Sequence, residues 1–403
     1  MTPSQSETRN PFRPGMGLNP PYLAGRQREL DRFRAYLRGF PQLPRNIRLT
    51  GLRGVGKTVL LDHYAKIALE ECWLVVQREC SEHLLEEQAF ALAMVENCSR
   101  VAGRLEGNRL RHDVAGVLQQ TLELLGSLSV SLAGVRLTLQ HPASARAASR
   151  GCDEELFRGL QAMDRVIRAA GRGGLVLCFD EAQVLRDTPG AGSHPLSSLL
   201  MAVARAQRAG LPVLLVLCGL PPVVENLARA RSYSERMFQA EVLDRLEPPE
   251  DRLAFTRPLE AAGRAFEDRL VNVVVSESAG YPYFLQYLGG LLWESAPADR
   301  HLNLDLYEQI RPGPLAGLDR SFFDARLSRI GPFERRLLAA VAADGQEARH
   351  RDVVRRLGVS NGAVQAAVMR LVERGLLYRP SRGRIAFAVP LFDQYLRRKL
   401  GSA

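Results

Sequence analysis

A glycine-rich stretch, "GLRGVGKT" at residues 51–58, constrains this chain more than any other feature. It fits the pattern G-x-x-x-x-G-K-[ST] and lies between a β-prone run, "IRLT", and a segment with helical spacing, "VLLDHYAKIALEE". The glycines allow a tight loop whose N–H groups point inward, and the start of the next helix adds its positive dipole end. Only three of the 54 Lys+Arg residues are lysines, which makes an incidental lysine in this pattern improbable. The stretch therefore predicts a phosphate-binding loop between a strand and a helix.

This loop supplies most of the predicted nucleotide-binding residues. The Lys57 ammonium can approach the β- and γ-phosphates as a compact charge, whereas the broad fork of an arginine would fit less well. The Thr58 hydroxyl can ligate Mg²⁺. We therefore expect ATP and Mg²⁺ as ligands. The predicted contacts in the loop are Gly51, Gly54, Val55, Gly56, Lys57, Thr58 and Val59.

A second motif, "GGLVLCFDEAQ" at residues 173–183, is an apolar run that ends in two adjacent acids. Such a run is typical of a strand buried on both faces of a parallel sheet, and ligands bind at the carboxyl ends of these strands. We expect Asp180 to hold Mg²⁺ through water and Glu181 to orient the attacking water. The alternative is an acidic pair that caps the next helix. Beside the loop motif, the acids favour a nucleotide-hydrolysing or nucleotide-switched protein.

With these motifs in place, the chain resembles AAA+ and STAND P-loop ATPases of the initiator (origin-recognition-like) type. The stretch "PYLAGRQREL" at residues 21–30 resembles the hydrophobic-Gly-Arg-x-x-Glu signature of that group. The resemblance implies an α/β fold, with an AAA+-like P-loop NTPase core on a parallel sheet, a helical lid and a C-terminal winged helix-turn-helix domain. It also implies that the segment lies against the adenine, through Leu23, Ala24, Gly25 and Arg26.

Three further segments match positions of that group. "LPVLLVLCGLPP" at residues 211–222 resembles the sensor-1 strand, but ends in Cys218 and Gly219 where the group has a polar residue. "ARARSYSERMF" resembles a helix end that carries a trans-acting arginine finger, with Arg236 as the best match, Arg231 as the second, and self-association as the consequence. "SAGYPYFLQYLGG" resembles a Gly-x-Pro segment whose proline, here Pro282, lies near the base, although its aromatic residues could equally pack the lid core. Because the sensor-1 strand lacks its polar residue and no sensor-2 arginine stands at the matching position, we expect a switch with slow turnover.

The predicted organisation is a flexible N-terminal tail (1–20), the ATPase core (21–245), the lid (246–310) and the C-terminal domain (311–403). Within the core, residues 102–151 have no clear assignment, although 127–140 alternate like a hairpin and 141–151 resemble a loop. No apolar run is long enough to span a bilayer, and the six cysteines form no Cys-x-x-Cys pair. We therefore expect a cytoplasmic protein without a membrane partner.

The formal charge of +10 lies entirely in the last quarter of the chain. Residues 1–310 hold 36 basic and 36 acidic residues, whereas residues 311–403 hold 18 basic and 8 acidic residues. A basic module on a neutral body favours a polyanionic partner, usually nucleic acid.

The same region has the pattern of three helices (331–344, 348–358 and 359–375), a hairpin (376–389) and a closing helix (390–400). The third helix carries one apolar stripe and, on another face, polar residues among small ones. Such a face can lie close to the base edges in a major groove. We expect double-stranded DNA as partner. In the alternative, a STAND-type signalling switch, the module binds a protein or packs inside the chain; an accessory ATPase of transposition or defence is a third, weaker idea. The predicted DNA contacts are Arg349, Arg351, Ser360, Asn361, Gln365, Arg382 and Arg384.

Overall fold

The computed structural model describes residues 9–15, 17–42, 45–105, 151–297, 301–312, 317 and 319–400. The predicted hairpin at 127–140 and nearly all of the loop after it lie outside the described residues. The chain folds into two compact units. One unit comprises Met1–Arg26, Gly51–Val59 and Leu243–Ala403, and the other comprises Gln27–Thr50 and Leu60–Val242.

The unit that contains Leu60–Val242 is an α/β structure. Its strands, two of which end one residue beyond the unit, are β1 (Asn46–Gly51), β2 (Leu74–Glu79), β3 (Leu175–Asp180), β4 (Val213–Gly219) and β5 (Phe238–Leu243). Its helices, of which α2 begins just outside the unit, are α1 (Gln27–Arg38), α2 (Lys57–Glu70), α3 (Glu87–Gly103), α4 (Cys152–Ala169), α5 (Pro195–Arg208) and α6 (Pro222–Ala230). Short helical turns lie at Glu82–Leu85, Pro189–Ala191 and Ser234–Met237.

The strands form one sheet in the order β2-β3-β4-β1-β5. The pairings β2–β3, β3–β4 and β4–β1 are parallel, so the predicted parallel sheet is confirmed. Every residue of β3 and β4 is buried, as their continuous apolar runs predict for central strands. In the registers, Thr50 of β1 pairs with Gly219 of β4, and Phe179 of β3 pairs with Leu217. The carboxyl ends of these three strands therefore lie at one edge of the sheet.

In the other unit, helices after β5 surround an apolar core that includes Phe255, Leu270 and Leu285. The N-terminal segment, for which the sequence predicts a flexible tail, packs into this core: the Phe12 ring lies 5.6 Å from the Phe255 ring. Asn10 donates a hydrogen bond to the carbonyl of Gly290 at 3.2 Å. The helices are α7 (Glu250–Ala261), α8 (Asp268–Ser278), α9 (Pro282–Ser295) and α10 (Leu304–Ile310).

The C-terminal part of this unit begins with a π-helical turn (Asp319–Asp324) and a short helix (Ala325–Leu327). Then follow α11 (Pro332–Ala342), β6 (Glu347–Arg349), α12 (His350–Leu357), α13 (Asn361–Glu373), β7 (Leu377–Tyr378), β8 (Arg384–Phe387) and α14 (Phe392–Leu400). The strands form an antiparallel sheet in the order β6-β8-β7. The second predicted helix starts at His350 rather than at residue 348, because residues 347–349 pair with β8. Across the described ranges, no helix has the length and apolarity to cross a membrane.

Candidate nucleotide site

The loop between β1 and α2 has the backbone that its glycines predict. Gly54 and Gly56 have φ of +80° and +90°, values that other residues rarely adopt. A Cβ on Gly51 would lie 2.9 Å from a methyl group of Val55, so the close packing there also requires glycine. A Cβ on Gly56 would meet no described atom within 4 Å, so the space beside this residue is open.

Lys57 is the first residue of α2 and is only 9% exposed. Its Nζ donates a hydrogen bond to the carbonyl of Leu52 at 2.8 Å, so the ammonium lies over its own loop. Val55 is fully buried and anchors the loop. A Cβ added to Gly17 would lie 3.3 Å from the methyl group of Thr58, the residue after Lys57. The N-terminal segment therefore lies beside the first turn of α2.

The predicted adenine-binding segment, residues 23–26, contacts the loop through Arg26. Arg26 is 8% exposed, and its guanidinium donates to the carbonyls of Val55 at 3.2 Å and Asp244 at 2.7 Å. The Gly25 N–H donates to the Glu250 carboxylate at 2.7 Å. Leu23 is half-buried, and the buried Ala24 belongs to the core formed by α7–α10. The segment therefore joins the loop to the end of β5 and to α7.

Two contacts on this loop come from distant parts of the chain, and sequence reasoning missed both partners. The N–H of Tyr283, which follows the predicted ligand Pro282 at the start of α9, donates to the Gly54 carbonyl at 3.2 Å. The N–H of Arg53 donates to the carbonyl of Ala388, directly after β8, at 3.3 Å.

A cation of the C-terminal part also lies close to the loop. Burial, and then the neighbouring Arg53, lower the pKa of Arg326 from its ordinary value. Two guanidinium groups near one glycine loop create a positive field that favours an anion. No sequence signal marks Arg326, because its place depends on the fold of the whole unit.

The second motif lies in the other unit, at the carboxyl end of β3. Asp180 is 9% exposed, and its Oδ1 accepts the N–H of Glu181 at 2.8 Å. Glu181 has φ of +49°, an uncommon backbone conformation that is concentrated at functional sites. Burial and the Asp180 charge raise the pKa of Cys80 to about 12, so this thiol stays protonated and unreactive.

The end of β4 differs from the sensor-1 pattern in the way that the sequence predicts. Cys218 is fully buried, and its carbonyl accepts the Ala182 N–H at 2.8 Å. The polar side chain beside this strand end comes from Gln183 instead. Its amide donates to the Glu181 carboxylate and accepts the Leu220 N–H at 2.8 Å.

The two candidate arginine fingers differ in exposure. Arg236 is exposed in the short helix Ser234–Met237. Arg231 is partly buried, with a guanidinium nitrogen 2.6 Å from the sulfur of Met201. Of the two, Arg236 is the side chain that a second subunit could reach.

The side chains present fit ATP and Mg²⁺. The loop offers N–H groups, a buried ammonium and open space at Gly56. The Thr58 hydroxyl and the Asp180 carboxylate are oxygen donors of the kind that Mg²⁺ prefers. No group of three or more His, Cys, Asp or Glu residues in the described part of the chain could hold a metal ion.

The predicted DNA contacts lie at the end of β6, on α12, at the N-cap and on the first turns of α13, and on the β7–β8 hairpin. Asn361 and Gln365 are exposed on α13, opposite the buried Val364 and Val368. The Asn361 amide oxygen is 2.8 Å from Nε2 of His350. Ser360 caps α13, since its hydroxyl accepts the Ala363 N–H at 3.3 Å. Arg349, Arg351 and Arg382 are exposed. Arg351 pairs with Asp352 at 3.9 Å, and Arg384 pairs with Glu347 at 3.2 Å.

Comparison with known proteins agrees with this fold. The Walker-type ATPase PABY2304 of Pyrococcus abyssi matches with a TM-score of 0.56 and 16% identity, over 93% of this chain and 96% of that one. The ORC2 protein of Aeropyrum pernix, solved as ADPNP–ADP complexes, matches with a TM-score of 0.54 and 14% identity, over 96% and 98% of the two chains. At these identities the likeness shows the fold alone. No curated protein matches the chain.

Two family descriptions match the sequence. Residues 320–396 match a domain of unknown function, DUF8462. Residues 22–228 match the AAA ATPase domain, and this segment is more than half of the 403 residues and contains both motifs described above. The chain therefore belongs to the AAA ATPase domain family.

Proposed function

We propose that the chain binds and hydrolyses ATP and that its nucleotide state controls the engagement of duplex DNA by a winged helix-turn-helix at residues 311–403. The hydrogen bond from the Arg53 N–H to the Ala388 carbonyl carries this proposal. It joins the phosphate loop to the residue that follows β8, and β8 is one strand of the proposed wing. A change of loop conformation on nucleotide binding thus has a direct path to the C-terminal helices.

In the proposed site, the loop amides and Lys57 hold the triphosphate, and Leu23, Gly25, Arg26 and Pro282 lie near the base. Thr58 and Asp180 hold Mg²⁺, which when bound neutralises charge on the phosphates. Glu181 orients the attacking water. Arg236 of one subunit stabilises the leaving phosphate in a second copy. The ORC2 protein, whose fold is similar, was solved as ADPNP–ADP complexes, and this supports nucleotide binding by the present chain.

The DNA part of the proposal rests on the exposed face of α13 and on charge. Asn361 and Gln365 have amide side chains suited to base edges, and the small residues Gly362 and Ala366 keep that face low. Arg349, Arg351, Arg382 and Arg384 would contact phosphates and position the helix.

The test is duplex-DNA affinity, measured by fluorescence anisotropy for the apo, ADP and ADPNP states. A coupling of about 1–3 kcal/mol between the two sites would change the affinity roughly 5- to 150-fold between nucleotide states. The matched control is Lys57→Ala, which should bind DNA but show no nucleotide effect. Equal affinities in all three states of the unmodified protein would contradict the proposed control.

A second candidate function is a STAND-type switch whose C-terminal region packs inside the chain and binds a partner protein. It is favoured by the ion pairs that occupy several basic side chains of this region: Arg370 and Arg374 with Glu334, Arg356 with Asp344, and Arg384 with Glu347. Salt dependence separates the two functions. Six or more phosphate contacts would give a steep loss of DNA affinity between roughly 50 and 200 mM salt, whereas a protein-binding region would show little DNA affinity at any salt concentration.

A further inference from the structure

Gln183, two residues after the acidic pair, has both ends of its amide engaged. The nitrogen donates to the Glu181 carboxylate, and the oxygen accepts the N–H of Leu220 at 2.8 Å. A backbone N–H can only donate, so Leu220 requires the amide oxygen on its side and the NH₂ group on the side of Glu181. The orientation of this amide is therefore fixed by its neighbours.

The surroundings hold Gln183 from two further elements. A Cβ on Gly219 would overlap the Gln183 amide oxygen and would lie 3.1 Å from the Ala182 nitrogen, so only glycine at the end of β4 leaves room for the amide. The Asn226 side chain on α6 donates to the main-chain carbonyl of Gln183 at 2.9 Å. The side chain of Gln183 is therefore held at the end of β4, and its main chain is held separately by α6.

Glu181 is a residue that needs such support. With φ of +49° it has a backbone conformation that persists only where neighbouring groups hold it. A half-exposed glutamate at a strand end would otherwise populate several rotamers, and only some would direct the carboxylate to the same point. A general base must stay within hydrogen-bond reach of the water that it orients.

We infer that Gln183 is a positioning residue for hydrolysis, which holds the Glu181 carboxylate in one orientation and ties it to the end of β4. It thereby supplies the polar group that Cys218 and Gly219 do not provide. This inference rests on the proposed role of Glu181, and it concerns the hydrolytic step rather than nucleotide binding.

The test is a panel in which kcat, the Kd for ADPNP and the Tm are measured for each variant. Gln183→Glu keeps the size of the side chain and an acceptor for Leu220, but turns a carboxylate instead of a donor toward Glu181. We expect kcat to fall about 10- to 100-fold, as for a displacement of a reacting group by about 1 Å, with the Kd for ADPNP within about twofold. Gly219→Ala, which displaces the same amide from the other side, should show the same split between kcat and Kd and serves if Gln183→Glu does not fold.

Asn226→Ala is the matched control, because it removes the bond to the Gln183 main chain and leaves the amide in place. It should lower the Tm while kcat stays within about threefold. A kcat near that of the unmodified protein in both Gln183→Glu and Gly219→Ala would overturn the inference. So would a parallel loss of kcat, ADPNP affinity and Tm in both variants, since that is the signature of a structural role.

Glu181→Gln in the same panel separates this inference from the proposed function. If Glu181→Gln stops hydrolysis and Gln183→Glu does not slow it, the inference is wrong and the proposed function stands. If Glu181→Gln hydrolyses ATP as fast as the unmodified protein, the proposed role of Glu181 fails and the inference fails with it.

Discussion

In the proposed nucleotide site, the buried ammonium of Lys57 is the group on which we expect ATP binding to depend most. Burial removes water from a cation, and this is unfavourable unless other groups replace the water. Among the described residues, the Leu52 carbonyl is one such group. Phosphate oxygens would be stronger partners than a neutral carbonyl, because their negative charge adds a Coulomb attraction to the hydrogen bond.

Replacing Lys57 by alanine should therefore remove nucleotide binding. We expect the affinity for ATP to fall at least about 100-fold, or about 2.7 kcal/mol. A titration with a fluorescent ATP analogue measures this directly. Lys66→Ala is the matched control, because Lys66 lies on the same helix and is exposed, and its affinity should stay within about twofold. Equal losses in the two variants would mean that the effect is one of general charge.

The two motifs and Gln183 differ in how far the sequence could reveal them. The loop residues were predictable because the motif is contiguous and each position has a local physical reason. Gln183 was not, because its partner Leu220 lies 37 residues further along the chain. Arg26 falls between these cases: the pattern marks it, but only the fold shows that it contacts the Val55 carbonyl.

At the scale of elements, a buried carboxylate joins two helices of the C-terminal region. Glu334 of α11 accepts hydrogen bonds from Arg370 at 2.7 Å and Arg374 at 3.0 Å, on α13 and at its C-terminal end. The hydrogen bond from Arg370, the Gly331 N–H and the charge of Arg374 lower the pKa of Glu334 below its ordinary value, although burial opposes the shift. The lowered pKa means that ionised Glu334 stabilises the fold.

Removing this charge should destabilise the protein in a pH-dependent way. We expect Glu334→Gln to lower the free energy of unfolding by about 1–2 kcal/mol at neutral pH. Because the folded-state pKa is lowered, the stabilisation is present above the unfolded-state pKa and is lost as the pH falls through the folded-state pKa. The difference in Tm between the two proteins should therefore shrink as the pH falls from 7 to about 3.

The matched control is Glu373→Gln, since Glu373 is exposed on α13. Its free energy of unfolding should change by less than about 0.5 kcal/mol. A difference between Glu334→Gln and the unmodified protein that stays constant with pH would contradict the ionic role of Glu334.

The helices of this region were largely predictable, whereas their contacts were not. The apolar spacing of Val364, Val368 and Leu371 marks the buried face of α13, and Ser360 marks its start. The helical spacing predicts the start of α12 two residues too early, because spacing is a local signal and the pairing of residues 347–349 with β8 is not.

At the scale of the whole molecule, compact units do not follow the order of the chain. The sequence divides into consecutive segments by changes of pattern and charge. The fold instead groups Gly51–Val59 with Met1–Arg26 and Leu243–Ala403. The sequence does not reveal this grouping, because its periodicity reports local structure and carries no information about which distant segments pack together.

The proposed role of Arg236 depends on self-association, which belongs to the scale of the whole molecule. An exposed arginine that completes a site in a second copy acts only when subunits meet. We expect the ATPase rate per subunit to rise with protein concentration, and Arg236→Ala to lower the rate of the assembled protein at least about tenfold, a small part of the effect known for arginine fingers. The measurement is turnover against concentration, beside sedimentation at the same concentrations.

The matched control is Arg229→Ala, whose guanidinium is exposed and pairs with Glu225 on α6. Its rate should follow that of the unmodified protein at every concentration. If Arg236→Ala loses the same factor when dilute and monomeric, a role across subunits is wrong.

If the loop binds phosphate as proposed, the main-chain bond between Arg53 and Ala388 would make the C-terminal region act as a tethered ligand of that loop. Its effective concentration is set by the length and stiffness of the chain, and not by the amount of protein in the cell. We therefore expect anything that draws this region away from the loop to act like the removal of a bound ligand. Damage that loosens the last residues of the chain would then appear first as altered nucleotide affinity, far from the place of the damage.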